Sequence, residues 1–443
     1  VRRILFPAVL VAAVFAAFPA QAQQRNRVLA PPRPPLPAAA DTNDASAYYN
    51  LGLSLIDREP AAAASAFYWA SRINPGWADP LYARRAAILL SDKPRLLDYW
   101  NGVRRVERLP EMRHADSLYD RAVVMDPFLY RRFDKQVFTG YLSASATRWL
   151  ERNGASQGGA NQAEINSWIL QYMQQAPASM RAWSAYNDGR FADALTHYDR
   201  AIREARRDKW GLYADRSRVA YLMGADSVAL ADMGRAVADW KKDEEKDDDV
   251  VWLYRSKALL EHSMGLIHER MRNLDAAREA YGRALQEDLS YYPAHTALAR
   301  MALTAGDTAT AISEMDLAVQ IRGDSPRLRT EYGVVLAGGR RYQEAVEQFK
   351  KAVELEPMYA LPYFYLARIY DGSGMTQEAT ESYQAYVDHA AQREPQVPGA
   401  RARLAELTAQ AAAERAAIAG EPAAAPAEPA PATPAATPAE ARP

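Results

Sequence analysis

Few side chains in this chain have the type and spacing that invite chemistry. Histidine occurs six times, at His114, His197, His262, His268, His295 and His389. Imidazole serves as metal ligand or general base only with partners at fixed spacing. A zinc-protease helix needs two histidines four apart around a glutamate, and the chain has no such run. His262 and His268 are six apart, on different faces of one helix. A metal centre would have to gather ligands from several segments. Lys241–Asp249 is a run of nine charged residues. It lacks the glycine and spaced ligands of a calcium-binding loop. It reads either as a solvated loop with extra helical turns or as a contact for a basic partner or calcium. The glycine-rich stretch from Asn153 to Gly159 follows a predicted helix, not a strand, and so lacks the setting of a phosphate-binding loop. It reads as a surface loop or hinge. Carboxylates are plentiful but show no paired spacing for acid–base work. The expectation is a non-enzymatic protein with no catalytic residue, no cofactor and no metal.

Composition narrows the choice further. The 443 residues contain no cysteine, which removes disulfides, zinc–thiolate sites and thiol nucleophiles. The 54 Lys and Arg nearly balance the 55 Asp and Glu, so a broad polyanion-binding surface, and with it nucleic acid, is disfavoured.

The two ends differ from the middle. Arg2 and Arg3 precede the apolar run Ile4 to Phe18, and Ala20-Gln21-Ala22 forms a small-residue cleavage pattern. Residues 1–22 read as a signal peptide, too short in apolar length for a comfortable span. No stable membrane span is expected after its removal, and the protein is expected to be periplasmic or secreted in a Gram-negative bacterium, with outer-membrane association open. Residues 23–43 contain Pro31 to Pro37 and read as a proline-rich, semi-extended linker. Residues 421–443 are almost wholly Pro, Ala, Glu and Thr and read as a disordered tail. Before it, residues 396–420 read as a last, capping helix.

Between the ends an internal repeat organises the chain. Gly265, Ala277, Tyr281 and Ala284 recur as Ala299, Ala311, Met315 and Ala318 after 34 residues. They recur again as Gly333, Ala345, Phe349 and Ala352, then as Ala367, Ala379, Tyr383 and Tyr386. Four units therefore begin at Ala258, Tyr292, Pro326 and Ala360. Each reads as two helices. The first carries a small residue where its partner crosses closely, and the second carries an i, i+4, i+7 stripe. Gly306, Gly338-Gly339 and Gly372 are expected to make the turns between them. Ser325 before Pro326, and Asp307, read as helix caps.

Upstream the pattern continues less regularly. Ala194, Tyr198 and Ala201 mark one unit, and Tyr213, Gly224, Ala229 and Met233 another. Tyr48, Gly52, Ala63 and Phe67 mark the first hairpin. Ala115, Tyr119 and Ala122 mark a second helix whose expected partner is Leu96 to Leu109, while Pro80 to Leu90 is a helix without a clear partner. The resulting division is residues 44–174 as degenerate repeats, 175–257 as units with the acidic insertion at 241–249, and 258–395 as four regular units.

The repeat resembles the tetratricopeptide repeat family. Tyr363, Leu366, Ala367 and Tyr370 match that family's first-helix marks, and Ala345, Phe349, Ala352 and Pro357 its second-helix marks. Arg329, His295 and Gly323 depart from the pattern in single units. The resemblance implies an all-α, right-handed superhelical solenoid of helix-turn-helix repeats, with disordered Pro/Ala-rich termini. It also implies a concave binding surface lined by first-helix side chains. The residues so placed are His262, Leu266, Thr296, Arg300, Arg327, Thr330, Val334, Phe364 and Arg368. Arg300 and Arg368 are expected to clamp a carboxylate or an acidic glycan. Tyr68, Trp69, Trp77, Trp183 and Trp210 fall outside the repeat marks and suit packing or an interface. The function expected is a non-catalytic scaffold or adaptor binding a protein or peptide partner. The alternative is an accessory or binding factor for envelope polysaccharide synthesis or secretion.

Overall fold

A computed structural model describes residues 30–91, 110–152, 162–174, 176–206, 209–240 and 256–419. The predicted signal peptide 1–22, the predicted helix 96–109, the glycine-rich stretch 153–159, the acidic run 241–249 and the tail 421–443 lie outside the described residues. All regular structure among the described residues is helical, arranged as a solenoid of consecutive packed pairs. The order begins α1 (Ala45–Leu55), α2 (Pro60–Ile73), α3 (Ala78–Ser91), α4 (Pro110–Met125), α5 (Asp134–Arg152) and α6 (Gln162–Gln174). It continues α7 (Ala178–Asn187), α8 (Phe191–Glu204), α9 (Trp210–Leu222), α10 (Asp226–Ala238), α11 (Lys257–Arg270), α12 (Leu274–Glu287) and α13 (Tyr292–Thr304). It ends α14 (Thr308–Ile321), α15 (Pro326–Gly338), α16 (Tyr342–Leu355), α17 (Leu361–Gly372), α18 (Thr376–His389) and α19 (Val397–Ala419).

The repeated small residue explains the pairing. A Cβ on Gly333 of α15 would meet the Phe349 ring of α16 at 2.5 Å. Gly265 stands against Tyr281 and Gly52 against Phe67 in the same way. Phe67, Tyr281 and Phe349 are fully buried. The missing side chain thus admits an aromatic ring between two backbones. Ser325 and Asp307 cap α15 and α14, accepting from the backbone N–H of Leu328 at 3.3 Å and of Thr310 at 3.0 Å. Proline at the start of α15 completes that boundary, because its missing N–H would be unpaired there anyway.

The inter-helix turns correct one expectation. The left-handed residue is Arg272, Gly306, Arg340 and Gly374, one per unit at the same 34-residue interval. Gly306 is where it was expected; Gly339 lies in its turn, but neither it nor Gly338 or Gly372, which end their helices, takes the left-handed conformation. The helix geometry places the reversal two residues later, on whichever residue stands there, and in two units that residue is arginine. Gly189 and Gly224 hold the same position in the earlier hairpins.

The N-terminal half adds two observations. Helix α4 packs against α3, which sits between α2 and α4. The helix left without a clear partner in the sequence therefore has a neighbour on each side, while the expected pairing of α4 with Leu96–Leu109 lies outside the described residues. Rings decide the match: Tyr82 and Tyr119 lie 6.0 Å apart, and the Arg85 guanidinium sits 4.3 Å over the Tyr119 ring. The proline-rich segment is non-helical over residues 30–37, as its composition demands, but it does not float. Trp69 Nε1 donates to the Pro31 carbonyl at 3.1 Å, and Arg33 donates to the Tyr48 hydroxyl at 2.7 Å.

The solenoid returns on itself. The Asn43 side-chain amide donates to the Asp388 carbonyl at 2.6 Å, and the Gln392 N–H donates to Asp41 at 2.6 Å. Arg393 donates to Asp44 at 2.9 Å and to Ser46 at 2.7 Å. Arg72 of α2 pairs with Glu356, just after α16. One apolar cluster also joins Tyr48, Phe67, Tyr82 and Leu118 to Leu259, Tyr281 and Met301.

Two substitutions test this packing. Gly333→Ala is expected to cost about 1–3 kcal/mol by overpacking against Phe349. Arg340→Gly is expected to stabilise by about 0.5–1 kcal/mol, because glycine adopts the left-handed turn without strain. Chemical unfolding midpoints check both, and a neutral Gly333→Ala would contradict the close crossing.

Candidate functional site

Helices α11, α13 and α15 and the N-terminal helices α2 to α4 line a solvent-open chamber of about 1120 Å³. Of the nine concave-face residues expected from the sequence, His262, Leu266, Thr296, Arg300, Arg327, Thr330 and Val334 line it. Phe364 and Arg368 do not. Phe364 packs on Tyr386 at 5.1 Å, and the Arg368 guanidinium stands 5.9 Å over the Phe364 ring.

Several of these side chains are already committed. Thr330 is almost fully buried and its hydroxyl donates to the Pro326 carbonyl at 2.8 Å. Thr296 donates to the Tyr292 carbonyl at 3.0 Å. Arg327 donates to Glu331 at 2.6 Å, and Arg300 to Glu269 at 2.6 Å. The expected clamp of Arg300 with Arg368 is therefore not assembled: one charge is paired and the other lies outside the chamber. Leu266 and Val334 supply apolar wall.

His262 is buried against Tyr281 and Tyr291, with ring centroids 5.2 and 5.4 Å away. Its Nδ1 has no hydrogen-bond partner. Burial, and then the nearby Arg300 charge, push its pKa down to about 3, so the imidazole is neutral. His295 behaves oppositely. It bonds Glu314 at 2.7 Å and the Leu289 carbonyl at 3.2 Å, and the bond to Glu314 raises its pKa.

The opposite wall was not foreseen in the sequence. It comprises Tyr68, Arg72, Trp77, Arg84, His114 and Arg121 among others. Tyr68 and Trp77 had stood out as aromatics outside the repeat marks. Arg84 and Arg121 carried no signal, because their helices belong to degenerate hairpins. Trp183 lies elsewhere, edge-on to Phe138 at 5.4 Å, and Trp210 packs on Trp240 at 4.7 Å.

Among the described residues, no group of three or more His, Asp or Glu is placed to hold a metal. Gly154-Ala155-Ser156-Gln157-Gly158 has the spelling of a hydrolase nucleophile turn, but it joins the helices α5 and α6 instead of a strand to a helix. No helix among the described residues is long and apolar enough to cross a membrane.

The two histidines give stability opposite pH slopes. The unfolded chain protonates His262 near pH 6.5, whereas the folded chain resists until about pH 3. The unfolded state then holds more protons over that window, so stability falls as pH drops through it. For His295 the folded pKa is raised, so its contribution is full below the unfolded value and is lost as pH rises through the folded one. Unfolding midpoints across pH 3–8 check this: His262→Asn should flatten the acid limb, and His295→Asn should leave it intact.

Residues 262–326 and 333–395 match the tetratricopeptide repeat family. A 96-residue stretch is 26% identical to an uncharacterized protein of Haemophilus influenzae, covering 22% of this chain and 54% of that protein. The match thus spans about half the length of that curated relative. Among solved structures, the C-terminal part of a TPR repeat-containing protein from Cytophaga hutchinsonii is 17% identical with TM-score 0.40, over 49% of this chain and 79% of that one. YrrB, described as a TPR protein with an unusual peptide-binding site, is 18% identical with TM-score 0.35, over 45% and 94%. MamA is 19% identical with TM-score 0.33, over 40% and 94%. The hairpins between residues 262 and 395 thus share one period and are similar to the tetratricopeptide repeat.

Proposed function

We propose that the protein is a non-catalytic adaptor that holds a segment of a partner protein in the chamber. The observation that carries this reading is the convergence of seven repeat-face residues on one cavity of about 1120 Å³. Its walls mix apolar Leu266, Val334 and Leu361 with charged and hydroxyl groups. That mixture suits an extended peptide, whose alternating side chains and backbone need both. The basic–apolar–small pattern of residues 2–22 supports action in the periplasm or at the outer membrane.

A second reading, an accessory factor binding an envelope polysaccharide, is favoured by Tyr68, Trp77, Tyr292, Tyr359 and Tyr365 on the same walls. Such rings stack on sugars. One experiment separates the two. A photo-crosslinking amino acid replaces Val334, or the exposed Leu317 as control, in cells of the source bacterium. The adaptor reading expects an adduct at position 334, absent at 317, that protease degrades. An adduct resistant to protease but lost to glycosidase supports the polysaccharide. Equal labelling at both positions, or none, refutes a chamber ligand of either kind.

A further inference from the structure

Charges on the chamber wall are almost all compensated. Arg72 pairs with Glu356, Arg300 with Glu269, Arg322 with Asp324 at 2.9 Å, and Arg327 with Glu331. Two arginines are left over. Arg84 of α3 and Arg121 of α4 line the same cavity, and among the described residues neither has a carboxylate within ion-pair distance. Glu354, the remaining acid of the wall, is exposed and lies on α16.

The groups nearest these two guanidiniums are mostly basic, with Asp324 the acid that acts on Arg121. Burial lowers the pKa of Arg84 to about 10, with Arg121 adding to the effect. Desolvation of the guanidinium and then Arg322 lower that of Arg121, whose side chain is exposed overall, while Asp324 opposes them. Burial, Arg84 and Arg121 together lower His114, two helical turns from Arg121 on one face of α4. Four basic groups, of which Arg322 is already paired with Asp324, therefore line one water-accessible region. Like charges held together in this way raise the energy of the empty site and lower it again when an anion enters. The Arg84 guanidinium carbon stands 4.7 Å from the centroid of the Tyr68 ring.

We propose that Arg84 and Arg121, with His114 beside them and Arg322 completing the cluster, form a binding site for a doubly charged oxyanion: one phosphoryl group or a pair of neighbouring carboxylates. The site rests on the reading of the chamber as a ligand compartment, and it assigns that ligand its charge. It also joins parts of the chain that are remote in sequence. Arg84 and Arg121 come from the N-terminal hairpins, and Arg322 from the junction between α14 and α15. An anion held by all of them ties the two walls together, so binding is expected to stabilise the closed form of the solenoid.

The test uses the full chain at constant ionic strength. Inorganic phosphate, glycerol phosphate and glutarate are titrated separately, and binding is read by calorimetry and by the shift in melting temperature. The expected result is saturable binding of at least one probe, weakened about tenfold or more by R84Q and by R121Q. The exposed R415Q leaves it unchanged. Phosphate and its ester binding without glutarate identifies a phosphoryl ligand, and glutarate binding identifies paired carboxylates. Removing one of the crowded charges should hold or raise the melting temperature of the anion-free protein. R84K, which keeps the charge, guards against a misfolded R84Q. No saturable binding of any probe, or binding indifferent to both variants, overturns the proposal. A position-334 adduct without anion binding would sink this inference alone, and anion binding without the adduct would sink the adaptor reading alone.

Discussion

The whole architecture depends on one contact: the approach of a side-chain-free or methyl-only position on the first helix of a hairpin to a large residue on the second. Gly52 with Phe67, Gly265 with Tyr281 and Gly333 with Phe349 are the tightest cases. Close crossing lets the ring reach between backbones and bury fully, which is where most of each hairpin's apolar stabilisation lies. A hairpin alone would leave its other faces wet, so each unit is completed by its neighbour. The same crossing recurs in register through the units of 34 residues.

Curvature then has a long-range consequence. The chain bends far enough for residues 41–46 to reach residues 388–393. What would be an open groove becomes a chamber with two walls, one from regular repeats and one from the irregular N-terminal hairpins. Ion pairs across and along those walls silence most of the charge. Arg72 with Glu356 joins the walls directly, while Arg300 with Glu269 links adjacent units.

The repeat was legible in the sequence because its signal is local: small, aromatic and small residues at fixed spacing need no knowledge of distant chain. The caps at Ser325 and Asp307 were legible for the same reason. The turn residue was misplaced at Gly338-Gly339 and Gly372, since glycine advertises a turn, whereas the geometry demands one at positions 340 and 374 whatever residue stands there. The second wall was not legible. Arg84 and Arg322 share a chamber only because many small rotations add up, and no short pattern records that sum. The pairing of Arg300 with Glu269, 31 residues earlier, belongs to an intermediate class. It becomes visible once neighbouring units are stacked in register, and it removes Arg300 as a free anion clamp.

The central claim is that the solenoid closes on itself and so makes the chamber. The native absence of cysteine allows a direct measurement. Asn43→Cys and Asp388→Cys, introduced together, place two thiols where a side-chain amide now donates to a backbone carbonyl at 2.6 Å. Treatment of the dilute protein with a short bis-maleimide should give rapid, quantitative intramolecular crosslinking, seen as a faster-migrating denatured monomer. Denaturing the protein before adding the reagent should abolish it. Free thiols in the folded double variant, or crosslinking only between molecules, would contradict the closure and the chamber with it.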